Sequence, residues 1–149
     1  MKPTRISDKG INLLKELEGF SDQAYQDTGG VWTVGYGTTR INNIKVKSTT
    51  IATEKEATSY LYKDIKAVEL ALDDAIAAPI TQNQFDALVC FVYNVGITAF
   101  MKSTLLRKIE EKRFADAAKE FDRWVYVGGF ISEGLKNRRK KERSLFETK

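Results

Sequence analysis

The sequence predicts an α+β fold with one small β element near the N-terminus and helices elsewhere. Between positions 24 and 39 the chain is rich in aromatic and β-branched residues, and the turn Asp27-Thr28-Gly29-Gly30 interrupts them, which is typical of a hairpin. Most of the remaining chain repeats apolar residues at helical spacing. A length of 149 residues, with 42% hydrophobic and 30% charged side chains, suits a single globular domain, residues 1–149.

The first helix is predicted to begin at Ser7, whose hydroxyl can cap it, and to end at Gly19. Apolar residues recur along it at helical spacing, among them Leu14 and Leu17. Glu18 falls in the last turn, four residues after Leu14. Its carboxyl is therefore expected beside the apolar stripe rather than on the solvated side of the helix.

The hairpin predicted between 24 and 39 alternates its side chains between two faces. Thr33 falls on one face, and Trp32, Val34 and Tyr36 fall on the other. We therefore expect Thr33 to face a cleft while the aromatic side chains pack behind it. Residues 40–52 are polar and rich in lysine, which is consistent with a further strand and a loop.

Two capping boxes predict the next two helix starts. Thr53 with Glu56 begins a long helix over about 53–78, and Thr81 with Gln84 begins another that ends near Gly96. The long helix is predicted to connect a small β-containing lobe, about 20–60, to a helical lobe formed by 1–19 and 66–149. Further helical patterns cover 103–112 and 113–124, and a basic helix is expected from about Glu133.

The residue counts exclude several classes of enzyme. The chain has no histidine and only one cysteine, Cys90. Zinc hydrolases, Ser-His-Asp enzymes and Cys-His enzymes are therefore disfavoured, and acid–base chemistry falls to carboxylates, lysine or tyrosine. Cys90 lies in an apolar run and is expected to be a buried core residue. No phosphate-binding glycine motif occurs, and neither a metal nor a cofactor is expected.

The net charge of +4 is concentrated near the C-terminus, where the run 136–143 holds six cations and one anion. Such a run is usually a solvated face, or it attracts the chain to an anionic polymer such as nucleic acid, acidic lipid or cell wall. The N-terminus lacks the apolar segment of a secretory signal, and no apolar run is long enough to span a membrane. We therefore expect a cytosolic protein without stable membrane insertion.

Two carboxylates in different surroundings are what glycoside hydrolysis requires. Glu18 at a helix C-terminus beside leucines has features of an acid that stays protonated, because the helix dipole and desolvation both disfavour its charge. Asp27 lies in a Gly-rich turn, where backbone N–H groups and water can stabilise an anion. By themselves these observations leave open that Glu18 is a surface residue and that Asp27 only forms the turn.

The order of the residues in this region is more specific. The segments in question are Glu18-Gly19-Phe20, Ala24-Tyr25-Gln26-Asp27 and Gly30-Val31-Trp32-Thr33-Val34-Gly35-Tyr36-Gly37-Thr38-Thr39. Glu18, Asp27 and Thr33 are nine and then six positions apart, and in this the chain resembles the bacteriophage lysozymes. Later segments resemble the same family: Gln84-Phe85-Asp86-Ala87-Leu88-Val89, Phe91-Val92-Tyr93-Asn94-Val95-Gly96, Ser103-Thr104-Leu105-Leu106, Arg123-Trp124 and Asn137-Arg138-Arg139.

The resemblance implies a lysozyme-like fold with an active-site cleft between its lobes. It also implies hydrolysis of the β-1,4 bond between N-acetylmuramic acid and N-acetylglucosamine in peptidoglycan. Glu18 would be the general acid, Asp27 the partner carboxylate and Thr33 the residue that holds the attacking water. A hydroxyl that holds water opposite the leaving group suits an inverting mechanism.

Further residues follow from the resemblance with less specific support. Thr39, Tyr93 and Ser103 would contact saccharide, and Arg138 matches an arginine near the catalytic glutamate. The resemblance to endolysins also implies a monomer that accumulates in the host cytoplasm and reaches the cell wall after a holin has opened the membrane. Thr38 stands where many relatives have histidine, and the segment 41–50 differs from theirs, so no role is transferred to either.

Three alternatives remain open at this point. A nucleic-acid-binding module would explain the basic run but not the spacing of Glu18, Asp27 and Thr33, so we expect no nucleic-acid partner. A wall-binding protein of the same fold without catalysis is disfavoured because all three motif residues are present. A lytic transglycosylase would keep the acid but leave anhydro-muramic ends.

Overall fold

The computed structural model describes residues 2–149. The helices are α1 (Asp8–Glu18), α2 (Glu54–Ala75), α3 (Gln82–Val95), α4 (Ile97–Met101), α5 (Thr104–Glu110), α6 (Phe114–Glu120) and α7 (Glu133–Glu147), with a 3₁₀ turn at Phe121–Arg123. The strands are β1 (Ser21–Gln26), β2 (Trp32–Gly35), β3 (Arg40–Ile41), β4 (Ile44–Lys45), β5 (Tyr126–Val127) and β6 (Phe130–Ile131). The chain forms two compact units: Asn12–Ala67, and the chain up to Ile11 together with Val68–Lys149.

Two antiparallel hairpins form the β structure of the unit Asn12–Ala67. In the first, β1 pairs with β2 so that Tyr25 lies opposite Thr33. In the second, β3 pairs with β4 across a two-residue turn at Asn42 and Asn43, whose φ angles are 50° and 66°. Asparagine tolerates this left-handed region better than most residues, and paired positive φ values match the right-handed twist of a tight hairpin.

A small hydrophobic core lies behind the first hairpin. Val34, Val46 and Ala52 are its buried centre, and four partly buried side chains pack against them: Ala24, Trp32, Ile41 and Tyr60. The predicted packing of Trp32 and Val34 on one face is therefore confirmed. Tyr36 differs from the prediction, because β2 ends at Gly35, which has a φ of 67°. The strand alternation stops there, and the Tyr36 ring packs against Phe20 instead.

Gly35 also permits a close approach between β2 and α2. A Cβ atom at this position would lie 2.8 Å from the Cβ of Ala57. Real Cβ contacts are longer than this, so only glycine fits without a shift of strand or helix. The start of α2 is held by the predicted capping box, in which Thr53 Oγ1 accepts from the Glu56 N–H at 3.1 Å and Glu56 accepts from the Thr53 N–H at 3.0 Å.

Helix α3 is the buried centre of the other unit. Its residues from Phe85 to Val92 are all buried, and it packs against α7. The predicted capping box at its start is present, with Thr81 and Gln84 bonded reciprocally. Cys90 is a buried free cysteine, as expected. Phe91 makes edge-on ring contacts with Phe121 and Trp124, so these two aromatic residues of the stripe 114–124 pack against α3.

Three charged residues of α7 are buried against α3. The Glu142 carboxylate accepts from Arg138 Nε at 3.0 Å and from Arg139 Nη1 at 2.8 Å. Arg138 also donates to the Cys90 carbonyl at 2.9 Å. The Arg139 guanidinium lies 5.0 Å from the centre of the Phe91 ring. Burial raises the pKa of Glu142, and the two guanidinium groups oppose that shift.

The predicted helix over 53–78 is present as α2, although it ends at Ala75, and the basic helix begins at Glu133 as expected. The prediction that β structure is confined to the N-terminal region is wrong. A third hairpin, β5 with β6, lies between the 3₁₀ turn and α7 and turns at Gly128 and Gly129. Among residues 2–149, none of the helices is both long enough and apolar enough to cross a membrane.

Candidate active site

Glu18 is the last residue of α1. The helix ends because Gly19 has a φ of 69°, and the Gly19 N–H donates to the Lys15 carbonyl at 2.9 Å. Leu14, one turn earlier, is fully buried, and Glu18 itself is half-buried. Glu18 therefore lies at the negative end of the α1 dipole, one turn after the buried Leu14.

Asp27 organises the turn between β1 and β2. Its Oδ1 accepts from the Gly29 N–H at 2.8 Å and from the Val31 N–H at 2.9 Å, while the Asp27 N–H donates to the Val31 carbonyl at 2.9 Å. Within residues 2–149, Asp27 Oδ2 has no hydrogen-bond partner. One carboxylate oxygen thus orients the exposed Asp27 side chain, and the second oxygen is available to a water or a substrate.

Thr33 is connected to Asp27 through the Val31 carbonyl. Thr33 is buried, with 3% of its surface exposed, and its Oγ1 donates to the Val31 carbonyl at 2.9 Å. The same carbonyl accepts from the Asp27 N–H. Because its proton is directed at Val31, the Thr33 hydroxyl can offer only its lone pairs to a further partner. Thr33 is therefore arranged to accept a hydrogen bond from a water.

Tyr25 lies close to both carboxylates, and sequence reasoning did not identify it as a site residue. It is the cross-strand partner of Thr33, so the two side chains share one face of the hairpin. Burial raises the pKa of Tyr25, and the negative charges of Glu18 and then Asp27 raise it further. The phenol stays neutral and can donate a hydrogen bond at any pH where the carboxylates act. Its place in the segment Ala24-Tyr25-Gln26-Asp27, two residues before Asp27, is the sequence signal that could have indicated it.

A brace around Tyr36 holds the end of α1 against α2. The Tyr36 ring centre is 5.5 Å from that of Phe20 and 5.3 Å from Lys15 Nζ. The Tyr36 hydroxyl donates to Glu54 Oε1 at 2.9 Å, and Lys15 pairs with the same carboxylate at 3.6 Å. The hydrogen bond from Tyr36 is the main cause that lowers the pKa of Glu54. Because Lys15 and Phe20 flank Glu18 in the chain, the brace restrains the segment that carries it.

Thr38, for which the sequence predicts no role, is completely buried. Its hydroxyl lies 3.4 Å from Asp64 Oδ2. Burial raises the pKa of Asp64, and the Thr38 hydroxyl opposes the shift only in part. The group that the structure shows bonded to this carboxylate is thus a neutral hydroxyl. Asp64 also lines a small cavity of about 300 Å³ with Arg40, Asn43 and Tyr60.

The other predicted site residues are distributed over both units. Thr39 is exposed and follows Thr38 in the unit Asn12–Ala67. Tyr93 is half-buried on α3. Ser103 caps α5, where its hydroxyl donates to the Phe100 carbonyl at 2.6 Å and accepts from the Leu106 N–H at 3.1 Å. Arg138 belongs to the buried network on α7, so Ser103 and Arg138 both have local structural roles, and their contact with saccharide stays a prediction.

No metal site accompanies these residues in the part of the chain that the structure describes, 2–149, where no three acidic, histidine or cysteine side chains are grouped to hold an ion. The arrangement is a half-buried carboxyl at a helix end, an oriented carboxylate in a turn and a hydroxyl acceptor linked to that turn. The carboxyl at the helix end can donate a proton to a leaving group, and the carboxylate in the turn can remove a proton from a water.

Comparison with known proteins identifies the family. The phage lysozyme family matches residues 15–142. The endolysin of Acyrthosiphon pisum secondary endosymbiont phage 1 is 41% identical over 96% of this chain and 98% of its own length. The endolysin of Bacillus phage PZA is 42% identical over 97% of this chain, which spans only 55% of that longer protein.

Solved structures agree with the sequence comparisons. The endolysin of Escherichia coli O157:H7 phage FAHEc1 superposes with a TM-score of 0.90 at 38% identity, over 96% of this chain and 93% of that one. The muramidase domain of SpmX from Asticaccaulis excentricus gives a TM-score of 0.87 at 36% identity, over 97% and 99% of the two chains. The predicted lysozyme-like α+β fold is confirmed by these likenesses. The chain belongs to the phage lysozyme family.

Proposed function

We propose that the chain is an N-acetylmuramidase that hydrolyses the β-1,4 bond between N-acetylmuramic acid and N-acetylglucosamine in peptidoglycan. Membership of the phage lysozyme family supports the reaction class. The observation that carries the assignment of the site is that the Val31 carbonyl accepts hydrogen bonds from both the Asp27 N–H and the Thr33 hydroxyl, which joins the Asp27 turn to Thr33.

In the proposed reaction Glu18 donates its proton to the glycosidic oxygen as the bond between that oxygen and the anomeric carbon breaks. A water attacks the anomeric carbon from the opposite face. It donates one hydrogen bond to Thr33 Oγ1 and gives its other proton to Asp27, whose Oδ1 is already occupied by backbone N–H groups. The products are a free hydroxyl on the leaving sugar and a reducing N-acetylmuramic end.

The first test compares the wild type with Glu18→Gln on purified peptidoglycan, with the digests analysed by mass spectrometry. We expect the variant to lose at least about a thousandfold in rate, because it cannot protonate the leaving oxygen. Its melting temperature should be unchanged or higher, since a half-buried catalytic carboxyl tends to cost stability. Glu16→Gln removes the same charge from the exposed side of the same helix and is the control.

The products separate this proposal from its alternatives. Reducing muramic ends support hydrolysis, whereas anhydro-muramic ends would identify a lytic transglycosylase. Binding of the wall without any cleavage would identify an inactive wall-binding protein. Wild-type cleavage by Glu18→Gln would contradict the role of Glu18 whatever the products are.

We also propose that the reaction inverts the anomeric configuration. An inverting enzyme needs space for a water between its second carboxylate and the sugar, and Thr33 presents an acceptor for that water. NMR of the first product, recorded before mutarotation, distinguishes the outcomes. The α-anomer is expected from a β-linked substrate, and the β-anomer would show retention through a covalent intermediate.

The remaining expectations concern substrate contacts and biological setting. We propose that four residues contribute to saccharide binding: Thr39, Tyr93, Ser103 and Arg138. Substitution of Thr39 or Tyr93 should then raise KM more than it lowers kcat. As with the endolysins that it resembles, we propose a monomer that accumulates inside the host and requires a holin to reach the wall. Expression in bacteria should then cause lysis only after the inner membrane is permeabilised.

A further inference from the structure

The hairpin β5–β6 exposes an unusual amount of apolar surface. The exposed fractions are 59% for Tyr126, 45% for Val127, 80% for Phe130 and 55% for Ile131. Gly128 and Gly129 form the tip between them. No residue from 126 to 131 has a charged or amide side chain. Grouped exposed apolar residues of this kind mark an interaction surface more often than isolated ones do.

The apolar side chains cover both faces of this hairpin. Tyr126 lies opposite Ile131, and Val127 lies opposite Phe130, so each cross-strand pair occupies a different face. An ordinary surface hairpin is apolar on the packed face and polar on the solvated face. Here both faces are apolar and exposed, which indicates that the hairpin is made to enter an apolar environment rather than to cover its own core.

The segment that contains this hairpin has an excess of basic residues. Residues 119–149 hold nine Lys and Arg against five Asp and Glu, which accounts for the whole net charge of +4. Lys136, Lys140 and Arg143 line a groove of about 850 Å³ together with Tyr126 and Ile131. Three acidic residues line it as well: Asp122 and Glu147 pair with Arg143, and Glu133 pairs with Lys136. An apolar projection beside lysines and arginines is the combination that peripheral proteins use on membranes with anionic lipids.

We propose that the hairpin β5–β6 binds the surface of a bilayer that contains anionic phospholipid. Phe130 and its neighbours would enter the boundary between headgroups and acyl chains, and the exposed Lys136 and Lys140 would contact the phosphates. Tyr126 would lie at the headgroup level, where aromatic residues with a polar end are enriched. The binding is peripheral, which agrees with the expectation that the chain has no stable membrane insertion.

Two other occupants fit the surface less well. A glycan needs hydrogen-bond donors and acceptors in its site, and the hairpin offers only the Tyr126 hydroxyl from its side chains. A second copy of the chain would bring another cationic segment 119–149 against the first. An anionic bilayer matches the apolar hairpin and the positive charge at the same time.

Co-sedimentation with vesicles tests the proposal. We expect the wild type to bind vesicles of phosphatidylethanolamine and phosphatidylglycerol, 70 to 30, and to bind pure phosphatidylcholine vesicles at least about tenfold more weakly. Phe130→Ser should lower the partition coefficient on the anionic vesicles by about tenfold, because a large apolar side chain no longer leaves water. Val127→Ser repeats the test on the same face. Leu70→Ser, at a residue with 61% exposure on α2, is the matched control and should not change binding.

A second pair of variants tests the electrostatic part. Lys136→Glu with Lys140→Glu and Lys55→Glu with Lys66→Glu both lower the net charge by four, because each substitution replaces a cation by an anion. All four lysines are exposed, so the two pairs are comparable. The first pair should weaken vesicle binding by about tenfold more than the second. Equal weakening would show that only the total charge matters and would overturn the assignment to this segment.

The remaining outcomes are also decisive. Failure of the wild type to bind anionic vesicles, or unchanged binding by both Phe130→Ser and Val127→Ser, would overturn the proposal. If Phe130→Ser bound vesicles normally but no longer bound lipid-free peptidoglycan, the hairpin would bind a glycan and the proposal would be wrong. A dimer in solution that Phe130→Ser dissociates would also overturn it. Cleavage of lipid-free peptidoglycan should be unchanged in these serine variants, so the failure of either proposal can be distinguished from the failure of the other.

Discussion

Tyr25 shows how a neutral side chain becomes part of a carboxylate site. Its phenol is affected by the charges of Glu18 and Asp27 and is paired across the hairpin with Thr33. The raised pKa keeps the proton on the phenol, so Tyr25 can donate to a carboxylate or a sugar without adding a charge.

Tyr25→Phe is therefore expected to lower kcat on peptidoglycan by roughly tenfold, which is the effect of one lost hydrogen bond to a charged group. The folded state should be almost equally stable, since the ring stays in place. Initial rates between pH 5 and 9 provide the measurement. The loss should be the same across that range, because the Tyr25 pKa lies above it. A rate equal to that of the wild type would show that Tyr25 is only a neighbour of the carboxylates.

Asp64 is a carboxylate that folding makes harder to ionise. Burial raises its pKa in the folded state above the unfolded value of about 3.9. Its protonated form therefore contributes stability that is fully present below the unfolded pKa and is lost as the pH rises through the folded pKa. At neutral pH the folded protein carries the cost of a partly buried charge that Thr38 relieves only in part.

Asp64→Asn should consequently raise the melting temperature at pH 7 by about 2 °C, a small change for a chain of this size. The gain should disappear near pH 3, where wild-type Asp64 is itself protonated. Thermal denaturation at the two pH values tests both statements. Asp22→Asn, at an exposed position in the same unit, is the control for the simple loss of one charge. A stabilisation that persisted at pH 3 would contradict the assignment to ionisation.

At the scale of elements, α7 is held to α3 by a charged network rather than by apolar contacts alone. The negative charge of Glu142 lies between the two positive guanidinium groups of Arg138 and Arg139. Each of these three side chains is at most 9% exposed. Removal of one member leaves buried charge without compensation, which is far more costly than removal of the whole set.

Glu142→Gln is expected to lower the free energy of unfolding by about 3–5 kcal/mol, as measured by urea denaturation. Replacement of Arg138, Arg139 and Glu142 together by Met, Met and Leu should recover much of that loss. Glu147→Gln removes an exposed carboxylate from the same helix and should change stability by less than about 1 kcal/mol. If Glu142→Gln and Glu147→Gln had costs of similar size, the network would not be effectively buried.

Helix starts could be predicted from the sequence, whereas very short strands and the end of β2 could not. Thr53 and Thr81 predicted two helix starts correctly because a capping box closes within four residues and needs no other part of the chain. The hairpin β5–β6 was missed although Gly128 and Gly129 separate two β-branched or aromatic pairs, because strands of two residues show no measurable alternation. Tyr36 left its predicted face because one glycine with a positive φ ended the strand.

For the whole molecule, the balance of charge is uneven along the chain. Residues 1–118 contain equal numbers of basic and acidic residues, so the net charge of +4 belongs to residues 119–149. Long-range attraction to an anionic polymer would therefore act mainly through this part of the chain, and it weakens as salt shortens the range of electrostatic forces.

The rate of peptidoglycan cleavage at low substrate concentration should fall about threefold or more between 0.05 and 0.3 M NaCl, since attraction to the anionic wall is screened. Cleavage of a short soluble oligosaccharide of alternating N-acetylglucosamine and N-acetylmuramic acid, which carries few charges, should depend much less on salt and is the control. Initial rates from turbidity and from reducing-end assays give the two measurements. An equal decrease on both substrates would place the effect of salt on the active site rather than on attraction.

How much of the site can be predicted depends on how far apart its residues lie in the chain. Glu18, Asp27 and Thr33 lie within sixteen residues, so a motif in the sequence could indicate all three. The brace of Lys15, Tyr36 and Glu54 joins segments that are far apart in the chain, and its members depend on the register of the hairpin and on the end of α1. Contacts of this kind follow from tertiary packing, which neither spacing nor residue type specifies.

The Val31 carbonyl joins Asp27 to Thr33, and this connection belongs to the main chain. The Val31 side chain is 48% exposed and takes no part in it. Many residue types at position 31 would leave the connection intact, so a comparison of related sequences can show free variation at the point on which the site's geometry depends. The residue type is restricted instead at positions 27 and 33, where the connection needs the carboxylate oxygen of Asp27 and the hydroxyl of Thr33.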